Sequence, residues 1–82
     1  MTKEEVIAVL SANISDKILR QPGREIAAEE GLISTGLIDS FSLVDLALLV
    51  EDHFGVRIED YELNSDTFDT LDQLSDIVLS RI

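Results

Sequence analysis

The chain has no cysteine and no tryptophan, one proline, one histidine, and six Lys and Arg residues against seventeen Asp and Glu. Without cysteine there can be no disulfide and no thiolate metal site, so any thiol chemistry must use a thiol brought in from outside. No run approaches the roughly 18 consecutive apolar residues that span a bilayer, which excludes membrane insertion as a helix. The start, Met1-Thr2-Lys3-Glu4-Glu5, is acidic where a signal peptide is basic and then apolar. A cytoplasmic location is therefore expected. Scarcity of basic residues has its own consequence: nucleic acid is bound by neutralising phosphates with Lys and Arg, and a chain of net charge −11 repels it.

What is present is enough for one small domain over residues 1–82, since a chain this short cannot divide its buried surface between two cores. A hydrophobic fraction of 45% supports a packed interior in spite of the charge. The charge is unevenly spread. Residues 1–24 sum to +1, whereas residues 25–82, with Arg57 and Arg81 against fourteen acids, sum to −12. That field favours partners with basic docking surfaces.

Thr2 followed by Glu5 has the spacing of a capping box, and Val6, Ile7, Leu10, Ile14 and Ile18 recur at intervals of three and four. This predicts a first helix over about 3–19. Gln21-Pro22-Gly23 ends it, because proline cannot donate to the helix ladder. Residues 21–38 then follow neither helical nor alternating periodicity and are expected to form a long loop packed on the core, with a helical turn near Ala27–Glu30. Leu43, Leu46, Ala47, Leu49, Val50 and Phe54 give a broad apolar face up to Gly55, which predicts a second helix over about 40–54, with Asp39 as its cap. Asp60 to Leu63 suit one short helix, and Thr70 with Gln73 repeats the capping-box spacing before a last helix over about 70–81. With no strand pattern anywhere, the expected fold is all-α: a small four-helix bundle, three helices long and one short.

Few residues can carry chemistry. A serine nucleophile needs an adjacent base, and the one histidine, His53, lies more than about three turns along the same expected helix as Ser40. His53 is expected to face solvent near that helix's C-terminus, where positive charge is favourable. Asp66, Asp69 and Asp72 fail as a calcium loop, since a loop starting at Asp66 would have Leu71 and Ile77 where a glycine and a glutamate are needed. No metal site is expected, and Asp69 and Asp72 are assigned to the positive end of the last helix. Ser40 has no activating neighbour, yet it sits at a helix start, where backbone N–H groups tolerate a phosphate.

The run Gly36-Leu37-Ile38-Asp39-Ser40-Phe41-Ser42-Leu43-Val44, opening an acidic amphipathic helix that ends His53-Phe54-Gly55-Val56-Arg57-Ile58, resembles the modification site and second helix of the acyl carrier and peptidyl carrier proteins. The likeness extends over nearly the whole chain, down to Asp66-Thr67-Phe68-Asp69-Thr70-Leu71 before the last helix. It implies a carrier and not an enzyme, with a 4′-phosphopantetheine arm covalently attached to Ser40, beside Asp39. A phosphopantetheinyl transferase with magnesium would place the arm from coenzyme A, and the arm's thiol would hold acyl or aminoacyl groups as thioesters. Acyl- or aminoacyl-activating enzymes and synthases would then dock on the second helix, and the carrier is expected to be monomeric. The docking candidates are Phe41, Val44 and Leu48, at helical offsets that share one side, flanked by Asp45, Glu51 and Asp52, with core packing as the alternative place for Val44 or Leu48. Two residues depart from the fatty-acid-synthesis pattern: Phe41 stands for the usual leucine, and Ser42 for an acidic residue. The wording is closer to freestanding carriers of aminoacyl or specialised-metabolite pathways. A fatty-acid-synthesis carrier and an unmodified interaction module on the same fold are the alternatives.

Overall fold

A computed structural model describes residues 1–82. The chain forms α1 (Lys3–Asn13), a π turn (Ile14–Ile18), α2 (Ser42–Phe54), a 3-10 turn (Asp60–Glu62) and α3 (Leu71–Arg81). The structure is all-helical, with three long helices and no strand. What was expected as a short third helix is a single turn of three residues.

Two of the expected starts are set by local chemistry. Thr2 caps α1 and Thr70 caps α3, each with the reciprocal bond from the residue at the third helical position, Glu5 and Gln73. The first helix does reach Ile18, but its last turn is widened: Leu19 N–H donates to the Ile14 carbonyl at 2.9 Å, one residue further back than in an α-helix. The widening places Ser15 at the interior, where its hydroxyl donates to the Arg24 carbonyl at 2.7 Å and so ties the following loop to the helix. Arg20 ends the segment in the left-handed region, with φ of 55°. The position is one that glycine would take without strain.

Sixteen buried apolar residues make up one core. α1 contributes Val6 and Leu10, the π turn Ile14, α2 Leu43, Leu46, Leu49 and Val50, and α3 Leu71, Leu74 and Val78. Phe68, just before α3, is the largest of the wholly buried side chains. The long loop is part of this core, since Ile26, Leu32 and Ile38 point inward, and near Ala27–Glu30 it makes one turn closed by Glu30 N–H on the Ala27 carbonyl. Every buried side-chain polar atom has a hydrogen-bond partner. No helix is long and apolar enough to cross a membrane.

The 3-10 turn is fastened to the end of α3 by Glu62 and Arg81. Glu62 is buried, and the two terminal guanidinium nitrogens of Arg81 donate to its carboxylate, Nη1 at 3.0 Å, while Nη1 also donates to the Arg57 carbonyl at 3.1 Å. At the opposite end Lys3 bridges Asp72 and Asp76, at 2.9 and 3.0 Å, joining α1 to α3.

Candidate functional site

Ser40 lies at the surface on the turn that leads into α2. The regular helix starts at Ser42, two residues later than the sequence predicts, because the first turn closes in 3-10 fashion: Ser42 N–H donates to the Asp39 carbonyl at 3.1 Å. The residue just before α2 is Phe41, which makes no side-chain cap bond, and Asp39 acts on the turn that precedes the helix. Its carboxylate Oδ1 accepts from Ser42 N–H at 2.8 Å, and that bond holds the Asp39 carboxyl below its ordinary value. Ser40 is therefore held between a buried Ile38 and a bonded first turn, with its hydroxyl left out of the local side-chain hydrogen bonds.

The docking candidates are all exposed. Phe41 is 88% exposed, Val44 52% and Leu48 59%, an apolar strip along the outer side of α2 while Leu43, Leu46 and Val50 fill the core. Leaving such side chains in water forgoes burial that is worth about 1.5–3 kcal/mol each, so the strip is a surface with something to gain from a partner. Asp45, Glu51 and Asp52 are exposed beside it. With Leu48 they line an open groove of about 570 Å³ against Lys17 and Ile18 of the π turn. On the other side of the strip, Val44, Ala47, Leu48 and Glu51 face Arg57, Ile58, Glu59 and Asp60 across a smaller groove of about 250 Å³. His53 is exposed in the last turn of α2, as its position suggests.

Residues 12–78 match the family model described as phosphopantetheine attachment site. The chain belongs to that family. It is thus a carrier domain, of the kind in which phosphopantetheine is bound covalently to a serine. The D-alanyl carrier protein of Bacillus subtilis (strain 168) is 34% identical, the match covering 92% of this chain and 95% of that one. The meromycolate extension acyl carrier protein of Mycolicibacterium smegmatis is 37% identical over 62 residues, 76% of this chain and 62% of that one. An acyl carrier protein of Thermobifida fusca is 38% identical over 52 residues. The chain spans 54–62% of the length of the mycobacterial relatives it matches. No solved structure matches this carrier domain.

Two residues not counted among the site candidates, Asp69 and Tyr61, lie outside α2. Asp69, assigned from the sequence to the positive end of the last helix, turns its carboxylate the other way, onto the loop before Ser40. The α3 start is capped by Thr70 and Gln73, and Asp72 does lie in its first turn as expected, paired there with Lys3. Tyr61, on the 3-10 turn, is a second exposed aromatic, 79% exposed. A 3-10 turn only three residues long leaves no periodic signal by which its outward side chain could be chosen.

Proposed function

We propose that this carrier domain, one unit over residues 1–82, takes 4′-phosphopantetheine on Ser40 and delivers acyl or aminoacyl thioesters to partner enzymes, with no catalysis of its own. The observation that carries the reading is the exposed Ser40 at the mouth of a helix whose outer side bears Phe41, Val44 and Leu48. Loading forms a bond between the Ser40 Oγ and the pantetheine-bearing phosphorus of coenzyme A, breaks the pyrophosphate linkage, and releases adenosine 3′,5′-bisphosphate. The serine proton leaves to a base that the transferase supplies, since the one carboxylate beside Ser40, that of Asp39, is engaged by Ser42 N–H and held below its ordinary value, which makes it a weak base.

Once attached, the arm supplies the thiol that the cysteine-free chain lacks. The chain's own residues do the rest: Asp39 keeps Ser40 on a formed turn, the apolar strip gives a transferase or synthase something to bury, and Asp45, Glu51 and Asp52 steer basic docking surfaces toward it. The 3-10 turn stands where a carrier bundle's short third helix would. The D-alanyl carrier match over nearly the full length of both chains, with Phe41 and Ser42 after the serine, supports an aminoacyl or specialised-metabolite cargo over fatty-acid synthesis. A monomer in the cytoplasm suits a domain that must move between enzymes. The exposed strip would equally serve an unmodified interaction module, the second reading.

Intact-mass measurement after incubation with coenzyme A, magnesium and a permissive phosphopantetheinyl transferase tests the choice. Wild type should gain one phosphopantetheine and Ser40→Ala none. A wild-type chain that stays unmodified, or a Ser40→Ala chain that gains the arm, overturns the assignment.

A further inference from the structure

Asp69 closes a contact across 36 positions of sequence onto the segment that delivers Ser40. Its Oδ1 accepts from the backbone N–H groups of both Ile33 and Ser34, each at 2.8 Å, and its Oδ2 accepts from the Ser34 hydroxyl. Its carbonyl accepts from Leu32 N–H at 2.6 Å. Four donors from three consecutive residues thus converge on one aspartate. The Ser34 hydroxyl first, then the backbone N–H groups, hold the carboxyl below its ordinary value, so it is anionic throughout the neutral range. Asp69 is itself fixed, because its N–H donates to Gln73 Oε1 at 2.7 Å in the capping arrangement of α3.

The clamp passes directly to the modification turn. Ile38 N–H donates to the Leu32 carbonyl at 2.9 Å, closing residues 32–38 into a ring whose ends, Leu32 and Ile38, are both buried, and the next residue is Asp39. A second observation has the same origin. A Cβ on Gly31 would come within 2.8 Å of the Ser34 hydroxyl oxygen and 3.2 Å of Asp69 Oδ2, so the closeness of the clamp is what calls for glycine there.

We infer that Asp69 is a positioning residue for the modification of Ser40: it anchors the Leu32–Ile38 ring to the start of α3 and thereby keeps the Asp39–Ser42 turn in the one arrangement a transferase can act on. The inference rests on the carrier reading. Val44, Asp45, Leu48, Glu51 and Asp52 lie on α2 beyond the turn and only Phe41 stands on it, so loosening the clamp should fall mainly on the rate of transfer from a docked complex and little on docking. Misplacing a reacting group by an ångström costs roughly a hundredfold in favourable cases, so a loosened turn should lose about tenfold or more in kcat.

The test uses the full chain with coenzyme A, magnesium and a permissive transferase, with initial rates by intact mass over a range of carrier concentration, and amide exchange on the same samples. Asp69→Ala should lower kcat about tenfold or more with KM within about twofold of wild type. It should also speed exchange at Ile33, Ser34 and Ser42. Asp69→Asn keeps an oxygen acceptor for the two backbone N–H groups and should recover most of the rate, which a purely electrostatic role of the carboxylate would not allow. Gly31→Ala, which leaves Asp69 in place, should share the kcat loss. Leu48→Ala, on the docking strip, should raise KM with kcat held. Modification of Asp69→Ala at the wild-type kcat, or a kcat loss with Ser42 exchange unchanged, overturns the role of Asp69 and leaves the carrier reading standing. A wild-type chain that accepts no arm overturns both.

Discussion

Asp39 and Ser40 are adjacent and both at the surface, yet they have opposite requirements: one must be engaged and the other free. Asp39 accepts from Ser42 N–H through both its carbonyl and its carboxylate, and those bonds fix the backbone on which Ser40 stands. Replacing Asp39 with alanine should lower the melting temperature and slow arm transfer, whereas Asp39→Asn, which keeps an oxygen acceptor, should keep both close to wild type. Thermal unfolding and intact-mass rates measured side by side check this, and equal losses in the two variants would show that the negative charge and not the bond matters.

The elements show where a sequence pattern meets its limits. Val6, Leu10 and Ile14 sit at the helical spacing from which the first helix is read, and all three are wholly buried. The same pattern includes Ile18, which is only half-buried, because the π turn changes the phase of the helix before it reaches that residue. Nothing in the spacing records a widened turn. What specifies it is Ser15 bonding to a carbonyl nine residues on and Arg20 leaving the helix at positive φ. For Arg20 the left-handed conformation costs about 1–2 kcal/mol, against about 0.5–1 kcal/mol of extra backbone entropy lost by a glycine, so strain wins. Arg20→Gly should therefore raise the melting temperature by about 3–6 °C. α2 gives the complementary case. Helical offsets place Phe41, Val44 and Leu48 together, but packing of the opposite side against the core is what leaves them in water.

At the scale of the molecule, acidity dominates the response to pH. Glu62, paired with Arg81, has its carboxyl drawn from an ordinary value of 4.5 down to about 2. A group whose value falls on folding adds stability that is present above its unfolded value and is lost as pH drops toward its folded one. The stability difference between wild type and Glu62→Gln should accordingly be full at pH 5 and above, and should shrink between about pH 4.5 and about 2. Denaturant unfolding of the two chains across that window checks it, and a difference that does not change with pH would mean the pair contributes through geometry alone. Glu5, Asp39 and Asp69 are shifted in the same direction, so wild type itself should weaken in acid even as its net negative charge is relieved.

By itself the sequence determined the local order of this domain. Capping boxes at Thr2 and Thr70, apolar spacing along three helices, an Asp-Ser pair at a helix start and a one-sided charge are all written within a few residues of where they act. The tertiary structure alone decided which carboxylates are structural and where they point. Asp69 reaches a loop 36 positions away and Glu62 meets Arg81 19 positions away, at separations where local periodicity carries no information. The physical reason is that a helix's pattern fixes which side chains share a face, while the direction of a loop and the partner of a buried charge follow from how separate elements close on one core.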